Sequence, residues 1–362
     1  MSRDKIASRG TAFERIPLVD ISGLFSDDAA RKSAVAREIE KAASEVGFLY
    51  VTGHGIAPER IERLQARAAA FFGLPEDVKR KYYIGNSRAH RGYVPTGEEN
   101  FYTDDVPSVD KKEAFDLSID LADDDPDHVL GYRLLGPNQW PTEVEGFRDD
   151  VYGYYEAVTS LGRTLFRGFA MALGLDEHYF DSYLTKPPSQ LRLVHYPEGE
   201  AFNPGAIGGR DSNFGISAHT DYECFTILHV TAPGLEVLNS EGEWIDAPPI
   251  PGAFVINIGD MLEALSNGYF IATAHRVRKV AYERFSFPLF CSLDYDTVIE
   301  PLPQFVRARD ERVYPRYVAG DHLLAQTMRT FAYLRKLQKE GLLAIPASET
   351  TGETFFGRKE RV

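Results

Sequence analysis

The feature of this sequence that most restricts its fold is a change of hydrophobic period at residue 190. From there to about residue 296 the chain runs through short apolar segments, QLRLVHY, FTILHV, LEVLN, AFVINIG, FIATAHRV and RFSFPLFCSL, separated by Gly, Pro and Asn turns. Segments this short and closely spaced build antiparallel strands, and a sandwich or jelly roll is the architecture that pairs so many of them. Helical patterns surround this region, so the expected class is α+β, with a β core and flanking helices.

Four stretches carry the helical period. Residues 29–46 place Val35, Ile39, Ala42, Ala43 and Val46 on one face and end at Gly47. Residues 58–72 follow, with Pro58 in the first turn and a stripe of Ile61, Leu64, Ala68 and Phe71. Residues 142–173 form a long spine marked by Phe147, Val151, Tyr154, Val158, Leu161 and Leu165, stopped at Gly174. A last helix over 321–338 presents Leu324, Met328, Phe331 and Leu334. IPLVDISG and GFLYVTGHGI read as strands, and 85–130 as extended pieces and loops across a cleft mouth. The expected divisions are a mobile segment at 1–15, an N-terminal region at 16–140, the spine at 141–185, the β core at 186–300, a C-terminal helical region at 301–347 and a mobile tail at 348–362.

Composition narrows the function. A net charge of -14 disfavours nucleic acid and anionic membrane as partners, since phosphate binding needs a concentrated basic face. No apolar run is long enough to span a bilayer, and MSRDKIASRG lacks the core of a secretory signal, so a cytoplasmic protein with a small-molecule partner is expected. Cys224 and Cys291 are too few for a disulfide framework and read as packing residues in a reducing compartment. Nothing in the sequence reports the oligomeric state.

SAHTDYECFTIL places His219 and Asp221 two positions apart, on one side of an extended chain. Nine His and 54 acids in 362 residues lead chance to supply roughly one His-x-acid tripeptide, so the motif needs its context. It is the chain's sole instance and stands among the strands. His275, in FIATAHRV, can join it if the sheet folds over, and two His with one carboxylate on one face of a metal is the arrangement of non-haem Fe(II) oxygenases. His54, His195 and His229 read as structural.

Beyond His275, RFSFPLF sets Arg284 and Ser286 on one strand face. A guanidinium on an apolar strand is costly to bury without an anion, and its planar fork suits a carboxylate, from a ligand or from an internal acid.

The chain resembles the isopenicillin N synthase-like branch of the Fe(II)/2-oxoglutarate-dependent dioxygenases from about residue 16 to 337. IPLVDIS, GFLYVTGHGI, RGYVPTGEEN, GPNQWP, LRLVHYP, HTDYECFTIL, PGAFVINIGDMLEALSNG, TAHRV and RFSFPLF carry the resemblance. It implies a double-stranded β-helix (jelly roll) core, iron held by His219, Asp221 and His275, 2-oxoglutarate held by Arg284 and Ser286 with Tyr196, and O2 as the oxidant. Val194 stands where many members have Asn, which removes a polar contact near the iron-binding end of the co-substrate.

Arg192 shares a strand face with Val194 and Tyr196 and is a candidate substrate contact, or else a rim arginine paired with a loop acid. Phe290 continues the face of Arg284, Ser286 and Pro288. Tyr93, Phe101, Tyr102 and Phe331 are further aromatic candidates, each of which could equally pack a loop or helix. Hydroxylation with release of succinate and CO2, in specialised metabolism, is the expected activity, with desaturation or ring chemistry reachable by the same route. The alternatives are an Fe(II) oxidase of this fold that does not consume 2-oxoglutarate, a zinc hydrolase, and a non-enzymatic small-molecule binder.

Overall fold

The computed structural model describes residues 11–99, 112–199, 214–309 and 314–347. The strands of its two larger sheets are β1 (Leu18–Asp20), β2 (Phe48–Thr52), β3 (Gly92–Val94), β4 (Glu113–Leu117), β5 (Gln190–Tyr196), β6 (Phe214–His219), β7 (Phe225–Val230), β8 (Leu235–Leu238), β9 (Trp244–Asp246), β10 (Phe254–Ile258), β11 (His275–Arg278) and β12 (Arg284–Cys291). Eight form a large sheet in the order β1-β2-β10-β7-β12-β5-β4-β3, and four form a smaller one in the order β6-β11-β8-β9. Every pairing in these two sheets is antiparallel except that of β1 with β2.

Side-chain alternation makes the large sheet two-faced. Leu191, Leu193, Phe225, Ile227, Phe285, Phe287 and Leu289 belong to the main core on its helical side. Val194, Tyr196, Leu228 and Val230 belong to a second core shared with Val237 and Val277 of the smaller sheet. The second face therefore encloses the space between the sheets, as the expected jelly roll requires.

The helices that back the main core are α1 (Ala29–Glu45), α2 (Pro58–Phe72) and α3 (Phe147–Ala172). Asp28 caps α1 by accepting from the Ala30 and Arg31 amides. Gly47 follows with φ +72°, and a Cβ there would sit 2.2 Å from the Ile271 carbonyl oxygen, so the chain can turn into β2 only with glycine. The spine begins at Phe147 rather than near residue 142, because Gly146 adopts φ 71° at its N-cap.

Three expectations are corrected. Residues 11–15, assigned to a mobile end, are tied down: Thr11 donates its amide to Glu45 O at 2.9 Å, and Phe13 is buried. The other residues expected to be mobile, 1–10 and 348–362, lie outside the described set. FIATAHRV is a strand only from His275, because Ile271 and Thr273 bond to Ala43 O and Val46 O at the end of α1. The last helix is two: α5 (Ala319–Thr330) and α6 (Ala332–Lys339), with α4 being Asp260–Leu265 earlier in the chain. Phe331 between them is extended at φ -93°, ψ 129°, where it pairs with Glu99 and the Ala332 amide donates to Glu98 O. A bond to another segment replaces the helical one, which a 3.6-residue stripe cannot reveal.

Candidate active site

β6 and β11 are neighbours in register, His219 opposite His275. Their rings lie 4.3 Å apart, centroid to centroid. Asp221, on the turn after β6, places Oδ1 3.6 Å from His219 Nε2 and 3.7 Å from His275 Nε2. All three donor atoms lie within 4.8 Å of one another.

The atoms facing away from this point are occupied. His219 Nδ1 is 2.7 Å from Ser217 O and His275 Nδ1 is 3.2 Å from Thr273 O, so a proton on each Nδ1 leaves the Nε2 lone pair free. Asp221 Oδ2 accepts from Asn257 Nδ2 at 2.7 Å and from the Thr226 hydroxyl. Thr226 and Asn257 are cross-strand partners on β7 and β10, so the large sheet positions a carboxylate carried by the smaller one. Burial, and then the neighbouring His275, push His219 down to about 4. Burial opposes ionisation of Asp221, yet the two imidazoles and the two hydrogen bonds hold its carboxyl below the usual range. Two imidazoles and one carboxylate, each held by a hydrogen bond on its far side, are a donor set that fits ferrous iron.

One cavity runs from this point, and alternate residues of β5 and β12 line it: Arg192, Val194 and Tyr196 on one strand, Arg284, Ser286 and Phe290 on the other. Arg284 is 1% exposed. Its Nε donates to Ala232 O at 3.1 Å, its guanidinium lies over the Tyr196 ring, and no carboxylate among the described residues pairs with it. Nη1 is buried without a hydrogen-bond partner among those residues. Ser286 Oγ and Tyr196 OH stand 3.5 Å apart beside it. A buried cation with an unmet donor, flanked by two hydroxyls, fits an external carboxylate.

Arg192 has its anions within the protein. Nε and Nη2 donate to the two oxygens of Asp116 at 2.7 and 2.8 Å, and Nη1 donates to Glu99. Glu99 also accepts from Lys112 Nζ at 2.7 Å. Against the cost of burial, this network holds Glu99 well below the usual range and Arg192 well above its own. Arg192 is thus paired inside the protein, but on the buried cavity wall rather than at a rim, and chiefly with Asp116 of strand β4 rather than with a loop acid.

Phe331 also lines the cavity, its ring 5.6 Å from the Arg192 guanidinium. Tyr93 does not: it is buried in the main core, with its hydroxyl bonded to Glu113 and Glu76. Phe101 and Tyr102 lie outside the described residues. His195 bonds to Glu113 and Glu283, His54 to Gly252 O, and His229 stacks on Phe287, so all three are structural.

Sequence reading passed over His90, Glu99, Lys112, Asp116, Glu223 and Asn257. Asn257 had a signal, being the lone polar group in the apolar strand FVINI. Glu223 lines the cavity, and burial with the nearby Asp221 pushes its carboxyl up to about 8. Burial, then Arg192 and Arg91, push His90 well below its ordinary value, so the imidazole facing the cavity is neutral.

The family model for the 2OG-Fe(II) oxygenase superfamily matches residues 187–293, and that for the non-haem dioxygenase in morphine synthesis N-terminal region matches 16–143. The chain belongs to the 2OG-Fe(II) oxygenase superfamily. It is 34% identical to a homoarginine-6-hydroxylase of Arabidopsis thaliana, over 89% of this chain and 99% of that protein. It is 33% identical to a 1-aminocyclopropane-1-carboxylate oxidase of Dictyostelium mucoroides, over 81% and 85%. A full-length Neurospora crassa protein, solved in complex with alpha-KG and thymine, superposes with a TM-score of 0.72 at 28% identity, over 90% and 97%. The protein is thus a 2-oxoglutarate-dependent dioxygenase that uses Fe(II) and O2. No helix among the described residues is long and apolar enough to cross a membrane.

Proposed function

We propose that His219, Asp221 and His275 hold the ferrous iron, and that Arg284, Ser286 and Tyr196 bind the distal carboxylate of 2-oxoglutarate, for hydroxylation of a small polar molecule. The observation that carries this reading is the pair of unmet demands in one cavity: three converging ligand atoms at one end and a buried guanidinium with an unused donor at the other. When bound, iron with 2-oxoglutarate supplies O2 activation coupled to release of succinate and CO2, and thereby the oxidising power for a C–H bond. The chain's own part is orientation. Ser217 and Thr273 fix the imidazole tautomers, Thr226 and Asn257 aim Oδ1, and Arg284 sets the co-substrate's reach from β12.

Val194 pairs with Ser286 across the strands and presents a methyl surface to the cavity. Co-substrate binding then rests on the clamp and the metal, with no side-chain amide from that position. The relatives named for homoarginine and 1-aminocyclopropane-1-carboxylate, and the Neurospora crassa complex with thymine, support a compact, nitrogen-bearing substrate. The test is product accounting. One succinate per substrate oxidised, lost in Arg284→Ala, supports the reading; substrate oxidation without succinate would make the protein an oxidase of the same fold.

A further inference from the structure

His90 and Asn267 are the only non-glycine residues with a positive φ among the described residues, and His90, at 59°, lies in the bend before β3. A left-handed backbone is costly for a residue with a Cβ and persists where surrounding contacts over-determine it. Here they do. The His90 ring packs edge-on against Phe331 at 4.5 Å and near-parallel to Tyr333 at 5.9 Å, centroid to centroid, and its Nδ1 stands 2.6 Å from the Tyr333 hydroxyl. Both aromatics come from the point where α5 gives way to α6, so the break in the last helix and the strained bend together hold one imidazole in place.

The proton positions follow from the partners. The Tyr333 hydroxyl has one acceptor among the described residues, His90 Nδ1, and donates to it. A neutral imidazole, which burial with the guanidiniums of Arg192 and Arg91 enforces, then carries its single proton on Nε2. His90 is 4% exposed and lines the cavity, and Nε2 bonds to no described residue. Its place is the Arg192 end. His90 stands two residues before Gly92, which begins the cross-strand row through Asp116 to Arg192, and Phe331 touches both His90 and the Arg192 guanidinium. The co-substrate clamp lies further along, where Tyr196 pairs with Arg284. A fixed N–H on a buried wall, beside guanidiniums, is matched by an oxygen bearing negative charge. We propose that His90 is a substrate-binding residue whose Nε2–H donates to a carboxylate or carbonyl oxygen of the substrate, at the end of the molecule remote from the clamp.

This inference rests on the oxygenase reading above, and the experiment separates the two. The variant is His90→Asn: asparagine tolerates the left-handed backbone, and its amide oxygen takes the place of Nδ1 toward Tyr333, so the Nε2 donor alone is withdrawn. Calorimetry without O2, on protein loaded with Fe(II) and 2-oxoglutarate, would use valerolactam and cyclohexanecarboxylate, which offer an acceptor oxygen, beside piperidine and cyclohexylamine, which at neutral pH offer only N–H groups. The two acceptor probes should bind wild type, and His90→Asn should weaken both roughly 3- to 30-fold, as expected for loss of one hydrogen bond, while leaving the two amines unchanged. Nitrogen NMR of the full-length, histidine-labelled protein, with the His90 signals assigned by their loss in the variant, should show the proton on Nε2. Neither acceptor probe binding, equal binding of both to His90→Asn, or a proton on Nδ1 would each overturn the proposal. Titration of 2-oxoglutarate itself is the control. If it binds wild type and His90→Asn alike, both proteins are folded and only the substrate inference is at stake; if it fails with wild type, the oxygenase reading falls.

Discussion

Asn257 donates its side-chain amide to Oδ2 of Asp221 at 2.7 Å, and this bond determines which oxygen of the carboxylate faces the two imidazoles. Asn257 sits on β10 of the large sheet, while the histidines belong to β6 and β11 of the smaller one. The proposed metal point is therefore a joint between the two sheets, and its geometry depends on how they pack.

Asn257→Ala should leave the fold intact and weaken Fe(II) binding by roughly 10- to 100-fold, the usual effect of losing a group that orients a ligand. Metal titration followed by calorimetry measures it. Unchanged affinity would mean that Asp221 needs no such alignment.

Arg284→Ala should weaken 2-oxoglutarate binding by roughly 30-fold or more, the effect of truncating one side of a buried charge pair. Its apo stability should change little or rise, because Nη1 of Arg284 is already buried without a partner among the described residues. Thermal melting with and without 2-oxoglutarate separates the two effects. A large loss of apo stability would show that Arg284 has a structural partner instead.

Arg192→Ala should cost about 3–5 kcal/mol of stability, because it strands Asp116 and Glu99 as buried acids. Chemical denaturation measures the loss. Glu99→Gln then sets the pH sign. The folded pKa of Glu99 lies below its ordinary 4.5, so its ionised form adds stability above pH 4.5 that is lost as pH falls through the folded value. Wild type should lose its advantage over Glu99→Gln on acidification below about pH 4.5. A gap that stays constant with pH would contradict this assignment.

Phe331→Ala should destabilise the protein by about 3–5 kcal/mol and open the cavity toward α5 and α6. Melting measures the first effect. Binding of bulkier ligands by the variant, read by calorimetry, measures the second. A neutral effect on both would mean that the ring is a passive filler.

Much of this was legible in the sequence. Period two over 190–196 and 284–290 already separates the residues that line the cavity, Arg192, Tyr196, Arg284 and Ser286, from Leu191, Leu193, Phe285 and Phe287, which pack against helices. The convergence of His219, Asp221 and His275 was legible because the His-x-Asp pair and His275 both stand among the strands of the sheet region. Tertiary pairings were not. Whether Arg192 serves a ligand or the protein depends on Asp116 and Glu99, which lie 76 and 93 residues away in sequence. The break at Phe331 arises from a bond to Glu98, and Tyr93 turns inward because Glu113 and Glu76 take its hydroxyl. Each of these is decided by a partner that local patterning cannot supply.

The most direct measurement is Fe(II) retention and 2-oxoglutarate conversion to succinate in His275→Ala, set beside wild type in the same preparation. Wild type should hold one Fe(II) per chain and form succinate, while the variant melts normally but does neither. A folded His275→Ala protein that keeps its iron and still forms succinate would contradict the central claim.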